Sequence, residues 1–102
     1  MIQMDEERAN IVQKLARELQ LMSQQISGLE SQVRELKGTI QALGIQPSNR
    51  PVYRQKGPLL LEVENRDELV SELKETLETI STYLNRISED KEEAQKQYEL
   101  EI

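Results

Sequence analysis

Glu92-Glu93 and Asp5-Glu6-Glu7 are the groupings in this 102-residue chain whose oxygens could hold a hard metal ion or act as a general acid and base. Either role needs a pocket or a neighbouring charge that drives the proton affinities of the two carboxylates apart. On the exposed face of a charged helix, without such a partner, they read as solvated charge. The usual catalytic and ligating groups are missing, since the chain has no His and no Cys. That removes the commonest general base and metal ligand, and with them thiolate chemistry and disulfides. Gly57 lacks the spacing of a phosphate-binding loop. No catalytic residue, cofactor site or metal site is therefore expected, and the chain does not read as an enzyme.

The chemistry left is association through apolar surface, and two places concentrate it. One is PVYRQKGPLLLEV, residues 51–63, where Val52, Tyr53 and Arg54 precede Leu59, Leu60, Leu61 and Val63. The other is split between the two termini, with Met1, Ile2, Met4 and Ile11 at one end and Tyr98, Leu100 and Ile102 at the other. Methionine suits a surface that must accept many shapes, because its side chain is unbranched and polarizable. If the fold brings the termini together, these residues form one patch, edged by Glu92, Glu93, Glu99 and Glu101.

Both groups must be positioned by helices. From Val12 the apolar residues fall at Val12, Leu15, Leu19, Met22, Ile26, Leu29, Val33, Leu36, Ile40 and Leu43, in steps of 3 and 4 without a slip. A 3.5-residue repeat of this kind is the seam of a coiled coil. Gly28 and Gly38 fall at outward positions, where each weakens the helix by about 1 kcal/mol relative to Ala but opens no hole in the seam. A second seam runs through Val70, Leu73, Leu77, Ile80, Leu84 and Ile87, then weakens to Lys91, Ala94 and Tyr98. Zippering is expected to loosen there. Asn65 followed three residues later by Glu68 reads as the start of the second helix.

Gly44, Pro47, Pro51, Gly57 and Pro58 keep either helix from running through residues 44–64. The chain thus divides into a helix over 1–43, a linker over 44–64 and a helix over 65–102. Helices of near-equal length on either side of a bend bring their stripes together by folding back antiparallel. Residue i then lies level with about residue 110 − i, so that Val12 faces Tyr98, Leu19 faces Lys91 and Met22 faces Ile87. Within the linker, Ser48-Asn49-Arg50-Pro51 reads as a turn. Val52–Gln55 and Leu59–Glu64 read as two strands of a hairpin around Gln-Lys-Gly-Pro, a four-residue connection. Leu59, Leu61 and Val63 share one face of the second strand. Two strands alone are marginal in water, and the tip of a helical hairpin offers little surface to cover them. Pairing with other molecules into a larger sheet is the expected solution.

Composition fits this outline and excludes others. The chain has no Phe and no Trp, so it is poorly equipped for a compact globular core. Its formal net charge is −6, with 5 Lys/Arg against 11 Asp/Glu over residues 65–102. That balance argues against nucleic-acid binding, which needs a basic stripe. No apolar run approaches the ~18 residues that would span a bilayer. The opening MIQMDEER has neither the basic nor the apolar region of a secretory leader. A soluble cytoplasmic protein is expected.

The heptad helix, the hairpin VYRQKGPLLLEV and the second helix DELVSELKETLETISTYLNRISEDKEEAQKQYEL together resemble a β-class prefoldin subunit over nearly the whole chain. The specific parts are the Val-Tyr-basic opening of the first strand, the Gly before an aliphatic second strand, and the Glu-Leu-x-x-x-Leu-Glu-Thr register from Glu72 to Thr79. The linker has room for one hairpin, as in the β class, where the α class has two. The resemblance implies a mostly α fold, a long antiparallel two-helix coiled coil with a β-hairpin at the bend that joins an oligomeric β-barrel. It implies a hexamer with α-class subunits and further β-class copies. It also implies an ATP-independent holdase that grips unfolded clients at the coiled-coil tips and passes them to a cytosolic chaperonin. The competing reading from residues alone is a coiled-coil adaptor that homodimerises and scaffolds one folded partner, which would have little need of Leu59-Leu60-Leu61.

Overall fold

The computed structural model describes residues 5–102. Its elements are α1 (Glu6–Ile45), β1 (Tyr53–Lys56), β2 (Leu59–Glu62) and α2 (Arg66–Glu101). The helices lie side by side and antiparallel as a rod, and with the hairpin the described chain has principal extents of 75 × 26 × 16 Å. At one end Arg8 meets Glu101, and at the other Arg66 reaches Gln46. Both pairings fall within two residues of the register expected from a symmetric fold-back.

The seams sit where the periodicity puts them. Every seam position from Val12 to Leu43, and from Val70 to Tyr98, is at least half-covered, whereas their neighbours are mostly exposed. Among the described residues the buried side chains are Leu15, Leu69, Ile87 and Ala94. The burial of Ala94 corrects one expectation, because the zipper does not loosen there. With Arg8 opposite Glu101, the register puts Leu15 level with Ala94. A methyl in place of a longer chain lets the larger Leu15 be enclosed between the helices, as small and large residues alternate across a seam.

The helix ends explain the acidic triplet. Asp5 is the N-cap of α1, its carboxylate accepting from the Arg8 N–H at 2.7 Å, and Glu6 and Glu7 occupy the first turn, where the helix dipole favours negative charge. Asn65 caps α2 in the same way, accepting from Glu68 N–H at 3.0 Å. At its C-terminus α1 runs through Gly44 to Ile45, two residues beyond the expected stop. A glycine costs a helix about 1 kcal/mol without ending it. Pro47 ends it, since the residue before a proline is driven to extended backbone, and Gln46 has φ −66 and ψ 128.

Gly28 and Gly38 are interior helical residues, and a Cβ built at either meets nothing within 4 Å. Gly28→Ala and Gly38→Ala are each expected to stabilise the chain by about 1 kcal/mol, which for a domain of this size raises the thermal midpoint by roughly 4 °C or more. Circular dichroism at 222 nm against temperature measures it. A lowered midpoint would mean that these positions touch something outside the rod.

Candidate functional site

β1 and β2 pair antiparallel, with Tyr53 opposite Glu62, Arg54 opposite Leu61, Gln55 opposite Leu60 and Lys56 opposite Leu59. The Val63 N–H donates to Val52 O at 2.8 Å and carries the pairing one step toward the rod. Pairing of Lys56 with Leu59 leaves a two-residue turn, Gly57-Pro58, shorter than the expected four-residue connection. Gly57 has φ +58, and the proline ring holds the next φ near −65°. A positive then a negative φ is the pattern of a type II′ hairpin turn, whose twist matches that of the strands and whose first position asks for glycine.

Opposed residues share a face. Val52, Arg54, Lys56, Leu59, Leu61 and Val63 therefore lie on one side, and Tyr53, Gln55, Leu60 and Glu62 on the other. The first side leans toward the start of α2, where the Arg54 guanidinium meets the Glu72 carboxylate at 3.3 Å. Val52 and Val63, at its root, are half-buried, and Leu69 is buried. Leu69 stands one position off the α2 seam, so the heptad pattern does not select it. Its signal is the hairpin above it, as Leu61, Val63 and Leu69 line one cleft.

Beyond that root the hairpin is bare. All eight strand residues are exposed, including Tyr53 at 55%, Leu59 at 59%, Leu60 at 67% and Leu61 at 47%. The sheet has two strands, so each keeps one edge of unpaired N–H and C=O groups. An aliphatic strand with a free edge is the feature that proteins otherwise cover or blunt.

At the far end of the rod the expected patch is partly assembled. Met1, Ile2 and Met4 lie outside the described residues. Ile11 is exposed at 42%, Leu100 at 80% and Ile102 at 67%. Tyr98 is half-buried, as its seam position leads one to expect, and offers less open surface than the other three. The two chain ends are brought together by Arg8, whose Nε donates to the Glu101 carbonyl at 3.2 Å and lies 3.6 Å from its carboxylate. Glu92 and Glu93 are exposed. Among the described residues no three Asp, Glu, His or Cys side chains gather where a metal ion could be held, and no helix is long and apolar enough to cross a membrane.

A feature the sequence does not announce lies between hairpin and rod. Arg66, the first residue of α2, donates from Nη1 to Gln46 O at 2.8 Å and from Nη2 to Pro47 O at 3.2 Å and Arg50 O at 2.8 Å. The turn expected over Ser48-Asn49-Arg50-Pro51 forms one residue earlier, over Pro47–Arg50, with Arg50 N–H donating to Pro47 O at 3.1 Å.

Comparison with known proteins places this geometry. The family model for prefoldin subunits matches residues 6–100. Three curated relatives are described as prefoldin subunit beta. That of Methanococcoides burtonii is 30% identical over 85% of this chain and 74% of its own length. That of Thermoplasma volcanium is 27% identical over 84% of this chain and 69% of its own, and that of Thermoplasma acidophilum is 26% identical over the same shares. Among solved structures, the crystal structure of the prefoldin beta subunit from Thermococcus strain KS-1 superposes with a TM-score of 0.83 at 22% identity, covering 99% of this chain and 90% of that one. Two long helices joined by one antiparallel hairpin are thus a fold already seen in that subunit.

Proposed function

This chain belongs to the prefoldin family of molecular chaperone subunits, with β subunits as its relatives, and from that premise we propose that it is the β-type component of an ATP-independent holdase. Its hairpin joins those of α-class partners and of further β-type copies in a hexamer built around shared β-barrels. The rods hang from that base, grip unfolded polypeptides at their free ends, and pass them to a cytosolic chaperonin in the cytoplasm. The observation that carries this reading is the bare aliphatic hairpin at one end of a molecule 75 Å long whose other end also exposes apolar groups.

The physics supports each part. A two-stranded sheet is marginal alone, so copies gain by merging edges and covering Leu59, Leu60 and Leu61. A client held at several rod ends is bound through effective concentration, and weak contacts suffice. The acidic residues around the tip favour basic clients and keep empty rods apart. No covalent step is required.

Mixing the chain with an α-class prefoldin subunit and weighing the product by light scattering tests the assembly. The chain alone is expected to remain small or ill-assembled, and the mixture to yield a hexamer of two α and four β-type subunits that suppresses aggregation of a denatured client. A stable homodimer indifferent to the α-class subunit would favour a coiled-coil adaptor instead.

A further inference from the structure

Hairpin and rod are joined by two short crossings, residues 46–52 and 63–65, and all eight strand residues are exposed, so little beyond the apolar root at Val52, Val63 and Leu69 holds the strands against the rod. Two polar ties act on the angle between the two bodies. Arg54 with Glu72 is one tie, but both side chains are more than half exposed. Exposed pairs of this kind contribute little to holding two elements together. Arg66 is the other. Its partly buried guanidinium gathers three carbonyls, one from Gln46 at the C-cap of α1 and two, from Pro47 and Arg50, in the turn that leads to β1.

The position of Arg66 is electrostatically odd for its own helix. A cation in the first turn opposes the α2 dipole, and Asp67 and Glu68 beside it are the residues that turn favours. The reverse holds for α1. Its last turn contains no basic residue of its own, and its C-terminal carbonyls are where a cation stabilises. Arg66 supplies that cation from across the bend. A planar fork with five donors can serve three acceptors at once, whereas a lysine ammonium is a point charge on a flexible stem.

We propose that Arg66 is a positioning residue: it locks the linker to the ends of both helices and so sets the direction in which the hairpin is presented to partner hairpins. The functional part of this inference rests on the assembly reading above, while the lock itself does not. A sheet can be extended only by hairpins that arrive at a compatible angle, so a free pivot at the bend would leave the strands intact and the assembly impaired.

The chain has no cysteine, so Lys56→Cys and Thr82→Cys, at two exposed positions, can carry spin labels on hairpin and rod. Labelled chain diluted with unlabelled chain reports the intramolecular distance by double electron–electron resonance. In the parent the distribution is expected to be narrow, and in Arg66→Lys about twofold broader, with the helical circular dichroism unchanged. Arg54→Gln, which removes only the exposed tie, is expected to leave the width as in the parent. Equal widths in parent and Arg66→Lys overturn the inference. A broadened distribution with no assembly even by the parent chain would leave the lock standing and count against the holdase reading.

Discussion

A chain carrying Leu59→Asp and Leu61→Asp is expected to keep its rod and lose its hexamer. Both leucines sit on the side of the hairpin that faces α2, with Val52 and Val63 behind them, but they are 59% and 47% exposed. Substitution of residues so open changes the stability of a single chain by about 0.5 kcal/mol or less. Helical content and thermal midpoint of the isolated chain are accordingly expected to stay near those of the parent. In a merged sheet the same positions become buried. Each leucine is then worth about 2 kcal/mol, and an aspartate there must be desolvated without a partner, which costs several more. A shift of about 4 kcal/mol or more per subunit is over 100-fold in each association step. Light scattering of the double variant with an α-class subunit checks it. A hexamer of normal mass would mean that assembly runs through another surface.

That expectation depends on which strand residues share a face, and here the sequence was explicit. The alternation Leu59, Leu61, Val63 on one side needed only the two-residue period of a strand. The seams were legible for the same reason, since a 3-and-4 spacing admits one geometry. What the pattern could not specify was set by contacts between elements. The turn tightened to Gly57-Pro58 because strand twist selects a type II′ loop, a constraint that acts between strands and leaves no mark in either one. Leu69 is buried at the root of the hairpin, where it shares a cleft with Leu61 and Val63, although no heptad position claims it. Ala94 looked like a gap in its own helix, yet it faces Leu15 in the other, and a small residue is a defect only if its partner is also small. Arg66 was the least visible. Its type and place suit the start of α2 poorly, and its function appears only once the C-terminus of α1 stands beside it.

At the opposite end, replacing Ile11, Leu100 and Ile102 together by serine is expected to leave assembly intact and reduce client holding at least tenfold. These are the described tip residues whose side chains face solvent, with Leu100 and Ile102 among the most exposed apolar groups described. Removing exposed apolar atoms takes little from the rod, and the Arg8–Glu101 contacts that close its end remain. An unfolded segment, by contrast, gains about 25 cal/mol for each Å² of apolar surface it covers there. Loss of that gain at one tip is modest. Loss at every tip of an oligomer is not, because contacts that act in series through a tethered client multiply in the binding constant. Tyr98→Ser provides the contrast: half-buried at a seam position, it is expected to lower the thermal midpoint as well. The triple variant is expected to lose holding with no thermal change. Deleting Met1 to Met4 from the triple variant asks whether the amino-terminal residues add to the same grip, with a further fall expected. Light scattering of a denatured client during dilution reads all three. Undiminished suppression by the triple variant and its deletion would mean that clients are held along the rod or at its base, and the tip would then serve only to close the coiled coil.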